Sequence, residues 1–317
     1  MQHIKIFQEV IFTLIIVCFI SFQTTEAKSV MEIEESEFTF TMPDSIKIQS
    51  LVKRPKGDGP FPTIIFLHGS SGMMDDHKYL IEHFAKKNFI SVVYARRGFP
   101  FGGGHAKEEI RYRDYIFKDI SDLNTVIEQL KGLPFVQDAP IFVTGISEGG
   151  QAAYLASSKI KGLKGVVGLN SVSDYLDCYD WTIKEYPKYP DPRLSSAAKS
   201  IRKSFGCAPE ECRDRYISLS PIHHVEQISC PVMIVHGGKD LWVPVRQSHQ
   251  FAKTLQEAGK PHEMHIYSNE GHLLFFFSTP RFGTGSISDW LRPQVWSSKN
   301  SKDVLLKIMN FLGTQLR

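Results

Sequence analysis

The sequence predicts an α/β fold: a mostly parallel central sheet with helices on both faces. Two observations carry that prediction. Apolar runs of strand length alternate with longer helical patterns along most of the chain, a rhythm that implies parallel strands joined by crossover helices. In the window Glu108–Leu130, the residues Ile116, Ile120, Leu123, Ile127 and Leu130 recur at three to four residue steps, which lays one apolar face on a sheet.

Taken in order, the expected core strands are Thr63–Leu67, Ile90–Ala95, Ile141–Thr144, Leu163–Leu169, Val232–Val235 and His262–Tyr267. The β-rich stretches FTFTM and IKIQSLVK before Thr63 read as antiparallel edge strands. Helical windows separate the core strands: His77–Asn88, Glu108–Leu130, Glu148–Lys159, Val245–Ala258 and Lys302–Leu316. No internal repeat or low-complexity segment interrupts them.

Length and composition narrow the class. The 317 residues are 42% hydrophobic and 22% charged, which describes a globular chain and excludes disorder, collagen and a small disulfide scaffold. With 37 Lys and Arg against 34 Asp and Glu, the net charge of +3 is spread without a basic run, so a nucleic-acid partner is not expected.

The first 27 residues read as a leader rather than as part of the fold. Lys5 starts it, Val10–Phe22 is almost unbroken apolar sequence, and Thr25-Glu26-Ala27 places small residues at the minus three and minus one positions of a cleavage site. The 13 apolar residues fall short of the roughly 20 needed to span a membrane. A cleaved signal peptide is therefore expected, with a single domain over 28–317 that is secreted or periplasmic and keeps no membrane span. Lipid attachment through Cys18 is the poorer reading, because Val17 before it is bulky.

Export makes disulfides chemically available. Cys207 and Cys212 are five positions apart in GCAPEEC, a spacing a surface loop can close, whereas Cys230 opens an apolar strand and reads as a buried thiol. Cys178 is left free or in an alternative pair. Neither Cys-x-x-Cys nor His-x-x-x-His spacing accompanies them, so no metal is expected, and Gly102–Gly104 without the rest of a phosphate loop is no nucleotide signal, so no cofactor is expected.

The 58 residues from Val172 to Ser229 break the alternation. They hold Tyr175, Tyr179, Trp181, Tyr186, Tyr189, several prolines and three cysteines, with a short helical pattern only around Ser195–Phe205. Long insertions within a compact domain are usually functional or disordered, and this aromatic content argues for a lid.

Gly145-Ile146-Ser147-Glu148-Gly149 fits G-x-S-x-G, follows the apolar strand IFVT and opens the helix QAAYLASS. That is the strand, sharp turn and helix of a nucleophile elbow, with Ser147 exposed above the carboxyl end of the sheet. A serine hydroxyl needs a base, and the base needs a group that holds its tautomer. Asp240 follows the strand VMIV and His272 follows MHIYS, so serine, acid and histidine each come just past a strand, in the order Ser, Asp, His. Asp174, after the preceding core strand, is the alternative acid.

Two backbone N–H groups should stabilise an oxyanion: that of Ser70, in the loop His68-Gly69-Ser70 after TIIFL, and that of Glu148. His68 reads as a brace for that loop, and the remaining histidines, including His223 and His224, default to surface or satisfied core positions. Arg96 and Arg97 follow ISVVYA at the mouth of the expected site. They read either as arginines paired to acidic neighbours or as a bidentate clamp for a substrate carboxylate. Trp181 and the lid tyrosines would supply apolar walls.

With HGSSG, YARRGF, GISEGG, CPVMIVHGGKDLWVP and NEGH spanning Thr63 to His272, the chain resembles the α/β-hydrolases, near the dienelactone-hydrolase and prolyl-oligopeptidase-like catalytic domains. Two departures qualify the resemblance. Dienelactone hydrolases proper carry Cys where this chain has Ser147, and the prolyl oligopeptidases carry an N-terminal propeller that about 35 residues before the first core strand cannot build. The expectation is a serine hydrolase acting on small or medium esters. The alternatives are a serine peptidase acting on short peptides and a hydrolase-like binding protein without turnover.

Overall fold

Strand β1 (Ile33–Thr41) pairs antiparallel with β2 (Lys47–Pro55), with Ile33 opposite Pro55 and Thr41 opposite Lys47. The computed structural model describes residues 31–70, 72, 77–99, 115–188, 197–272 and 298–317, and Ile33–Arg317 forms one unit. The expected leader, residues 100–114 and Tyr189 lie outside the described residues.

From Thr63 the chain alternates as expected. It runs through β3 (Thr63–Leu67), α1 (His77–Ala85), β4 (Ile90–Tyr94), α2 (Tyr115–Lys131), β5 (Ile141–Ile146), α3 (Glu148–Lys159) and β6 (Leu163–Leu169). After an intervening helical segment come β7 (Val232–Gly237), a helix over Arg246–Glu257, β8 (His262–Tyr267) and a last helix over Ser298–Gln315. The eight strands are ordered β1-β2-β4-β3-β5-β6-β7-β8. β3 to β8 are parallel, whereas β2 is antiparallel to both β1 and β4. Of the two expected edge strands, only β1 lies at the edge; β2 is an inner strand because β4 takes its free side.

Both faces of the sheet are covered, as the unbroken apolar strands require. Side chains alternate between them: Ile65, Leu67, Val143 and Ile234 meet the helices α2, α3 and Arg246–Glu257, while Ile64, Phe66, Phe142 and Val235 meet α1 and the last helix. On α2, Leu123, Ile127 and Leu130 are buried as the spacing predicts, each burial contributing roughly 1.5–3 kcal/mol. The first crossover runs from β3 to β4 on one side of β3, and the next element of the sheet, β5, returns to its other side. In open α/β sheets ligands settle above the carboxyl ends of the strands at such a reversal.

The interval before β7 is more helical than its sequence suggests. It holds α4 (Tyr175–Lys184), α5 (Ala197–Phe205), α6 (Pro209–Ser218) and a 3₁₀ segment Pro221–Gln227. Tyr175, Phe205 and Tyr216 knit these helices together, with the Phe205 and Tyr216 rings stacked 3.9 Å apart. Helix α4 starts where Asp174 Oδ1 accepts the Leu176 N–H at 2.8 Å. Helix α6 starts where Pro209 follows Ala208, whose N–H donates to Glu211 Oε2 at 2.9 Å. Caps and aromatic contacts between helices hold α4 and α6, whereas α5 falls where the sequence shows a helical pattern.

Numbered in chain order, Arg246–Glu257 is α7 and Ser298–Gln315 is α8. Among the described residues no helix is long and apolar enough to cross a membrane.

Candidate active site

The chain passes from β5 into α3 through one residue. Ser147 takes that turn at φ 57° and ψ −122°, a left-handed conformation that costs a non-glycine residue about 1–3 kcal/mol. Its backbone is held there from two sides: its N–H donates to Leu169 O at 2.8 Å, and its carbonyl accepts from the Gln151 N–H at 3.0 Å. The flanking glycines provide clearance. A Cβ on Gly145 would collide with the Gly149 carbonyl, and one on Gly149 would collide with the Leu67 carbonyl.

The loop after β3 lies against the elbow, for a Cβ on Gly69 would stand 3.3 Å from Ser147 Cβ. Ser70 follows in the chain and is exposed, and Glu148 opens α3 directly after Ser147. His68 is fully buried and braces this loop: its Nε2 accepts the Arg96 backbone N–H at 3.0 Å, so Nδ1 carries the proton and donates to Gly69 O at 2.8 Å.

Arg96 and Arg97 turn inward. Arg96, 1% exposed, donates to His68 O at 2.8 Å, to Asp119 Oδ2 and to Glu148 Oε1 at 3.2 Å. Arg97 forms a bidentate pair with Asp122 at 2.7 and 2.6 Å and also reaches Asp44 at 2.7 Å. Of the two sequence readings, the contacts match the first: the guanidiniums pair with protein carboxylates rather than presenting a free clamp. Arg96 instead joins the loop after β3, helix α2 and the residue after Ser147.

Asp240 sits in the turn after β7 and is buried. Its Oδ1 accepts the backbone N–H groups of Trp242 and Val243 at 2.8 and 2.9 Å, and its Oδ2 faces His272 Nδ1 at 2.7 Å. His236 Nε2 lies 3.2 Å from the same Oδ2. Burial by itself would push the Asp240 carboxyl up, but attraction to His272 and hydrogen bonds from His236 and His272 outweigh it and hold the group at about 2. Asp174, the alternative acid, spends Oδ1 on capping α4.

His272 comes just after β8, and Asn170 holds its backbone. The Asn170 carboxamide donates to Gly271 O at 3.2 Å and to His272 O, while its oxygen takes the Gly237 N–H at 2.8 Å. One side chain at the end of β6 thus bridges the acid loop and the histidine loop. Ser147, Asp240 and His272 all stand past the carboxyl ends of parallel strands. Asn170, Asp119 and His236 were not singled out in the sequence; the i, i+4 spacing of His236 and Asp240 across the turn HGGKD was the one legible hint.

Trp181 on α4 is half-buried, with its indole N–H donating to Leu241 O at 3.2 Å and the Arg246 guanidinium 4.7 Å from its ring. It therefore lies against the segment that follows Asp240. The sulfurs of Cys207 and Cys212 are in bonding contact, with Cα atoms 6.1 Å apart. Cys178 and Cys230 are buried and unbonded, and burial pushes both thiols up to about 12, Asp177 and Asp174 adding to the effect at Cys178. Neither is a reactive thiolate near neutral pH.

Comparison with known proteins places this geometry. The prolyl oligopeptidase family model matches residues 76–292, about two thirds of the chain. An uncharacterized peptidase of Bacillus subtilis (strain 168) is 25% identical over 261 residues, covering 77% of this chain and 36% of that protein. The solved acylaminoacyl peptidase of Pyrococcus horikoshii superposes with a TM-score of 0.63 at 23% identity, over 77% of this chain and 38% of that one. A Klebsiella pneumoniae structure provisionally described as a dienelactone hydrolase superposes with a TM-score of 0.57 at 14% identity, over 88% of this chain and 98% of that one. The chain thus spans little more than a third of the length of the two peptidases. With an α/β-hydrolase sheet, a serine elbow and a match over most of its length, the chain belongs to the prolyl oligopeptidase family of serine hydrolases.

Proposed function

We propose that the chain is an exported serine hydrolase that cleaves small or medium carboxylic esters through an acyl-enzyme. One observation supports the chemistry: a strained serine elbow and a buried Asp240–His272 pair, each residue following the carboxyl end of a parallel strand in one sheet. In this reading Ser147 Oγ attacks the ester carbonyl while His272 Nε2 takes the hydroxyl proton, and Asp240 keeps the other ring proton on Nδ1. The N–H groups of Ser70 and Glu148 receive the oxyanion. The tetrahedral species collapses, the alcohol leaves with the proton from His272, and a water repeats the sequence to release the acid.

Peptide cleavage is the second reading, and the family match together with the peptidase relatives favours it. The α4–α6 segment would cover the site as a lid with Trp181 in its wall. The leader sequence Met1–Ala27 supports export, and export would keep the Cys207–Cys212 bond oxidised. Peptide mapping of the secreted protein should recover a 207–212 link with Cys178 and Cys230 reduced.

The deciding experiment pairs a fluorophosphonate probe with two substrate series. Labelling at Ser147, measurable hydrolysis of short p-nitrophenyl esters and weaker cleavage of aminoacyl p-nitroanilides are expected. A kcat/KM on anilides above that on every short ester would reverse the order of the two readings. A folded protein that the probe does not label would return the binding-protein reading.

A further inference from the structure

His236 is fully buried at the end of β7 and touches the candidate acid. Its surroundings settle where its proton lies. Nε2 faces only acceptors, the Val243 carbonyl at 3.0 Å and Asp240 Oδ2 at 3.2 Å, so Nε2 bears hydrogen and donates. Nδ1 lies 2.7 Å from Ser248 Oγ on α7, whose hydroxyl can donate to an unprotonated nitrogen. A neutral imidazole with hydrogen on Nε2 satisfies every contact.

Asp240 in turn has four N–H groups around its two oxygens: the Trp242 and Val243 amides and His272 donate at 2.8, 2.9 and 2.7 Å, and His236 Nε2, whose N–H also meets the Val243 carbonyl, lies 3.2 Å from Oδ2. The two amides already pin the carboxylate rotamer. What His236 adds is a shared N–H, its nitrogen 3.2 Å from the very oxygen that faces His272, where its positive end draws off part of the charge that would otherwise stabilise a His272 imidazolium.

We propose that His236 is a positioning residue that acts on His272 through Asp240, sharing the Oδ2 charge so that His272 stays a neutral, competent base to lower pH. This inference rests on the serine-hydrolase reading for its catalytic consequence, though not for the coupling itself. Other titratable groups around the pair are the buried Cys178 thiol from α4, with Asp174, Asp177 and Arg246 beyond it, and Glu270 on the histidine loop. Among the described residues the contacts of the Asp240 carboxylate are the Trp242 and Val243 amides and the His272 and His236 rings, so the imidazole pair is the coupling to test.

Three variants separate the donor from mere packing. His236→Leu fills space without a donor; His236→Gln keeps an N–H near the Nε2 position; Ser248→Ala leaves β7 intact and removes the hydroxyl that faces Nδ1 and steadies the ring. For each, the His272 ring titration is followed by NMR, and the pH dependence of fluorophosphonate labelling is measured in parallel. In His236→Leu the His272 midpoint and the acid limb of labelling should both rise by about half a unit or more. Ser248→Ala should move them the same way by less, and His236→Gln should restore the wild-type values.

An unchanged His272 midpoint in His236→Leu, or a His236→Gln variant that behaves like Leu, would overturn the proposal. Should His236→Leu fail to fold, an unmoved midpoint in Ser248→Ala would overturn it equally. If the NMR shifts occur but wild-type protein takes no label, the coupling stands and the hydrolase reading falls.

Discussion

Arg96 Nη2 stands 3.2 Å from Glu148 Oε1, so the residue after Ser147 is tied to the segment that leaves β4. The same guanidinium holds the His68 carbonyl and Asp119, which makes Arg96 a joint between the two stretches expected to supply the oxyanion donors. Losing one partner of such a buried ion pair typically costs about 3–5 kcal/mol.

Arg96→Met should accordingly destabilise the protein by about 3 kcal/mol or more in urea unfolding. Its residual kcat/KM should fall alike for neutral and anionic esters. Arg97→Met should cost less, because one of its two carboxylates, Asp44, is exposed. A folded Arg96 variant that lost activity on anionic esters alone would restore the clamp.

Ser147 should show a conflict between stability and chemistry. Glycine adopts φ near 57° freely, so Ser147→Gly should gain about 1 kcal/mol of stability while losing all fluorophosphonate labelling. Ser147→Ala should lower kcat by a factor on the order of 10⁶ with the fold retained. A Ser147→Gly protein less stable than wild type in thermal unfolding would mean that the turn is unstrained.

Asp240 and Asp174 should part cleanly. Asp240→Ala should reduce kcat by a factor on the order of 10⁴. Asp174→Ala removes the cap of α4, and should cost about 1 kcal/mol of stability with near-normal turnover. Steady-state kinetics of the two variants checks the assignment, and the opposite pattern would transfer the acid role to Asp174.

Asp240 should also mark the acid limit of the fold. Its carboxyl lies near 2 in the folded protein against an ordinary 3.8, so the unfolded chain binds its proton first as pH falls. The stabilisation is complete above the ordinary value and is lost as pH drops from about 4 toward 2. Urea unfolding of wild type and Asp240→Asn at a series of pH values should therefore show a stability gap that narrows through that window. A gap that widened there would contradict the sign.

Much of this molecule is legible in its sequence where the pattern is local. Thr63–Leu67, Leu163–Leu169, His262–Tyr267 and Glu148–Lys159 end in the structure where their apolar runs and periodicity end. Helix α1 stops three residues short of the expected Asn88, which takes φ 69° after a turn closed on Ala85. The serine, acid and histidine positions were readable for the same reason, since each follows a strand that names itself.

Partners remote in sequence were not. Only Ser195–Phe205, near α5, was legible as a helix in this interval; α4 and α6 were not, and their Tyr175 and Tyr216 bury against Phe205 across helices. Arg96 and Arg97 could be read as surface charges or a substrate clamp until folding brought Asp44, Asp119 and Asp122 against them. His236 looked like one more core histidine, four residues from Asp240, and only the turn after β7 and the approach of Ser248 determine where its proton points. Periodicity records whether a residue faces water or core; which oxygen receives a proton depends on distances between segments that only the packed sheet and its helices set.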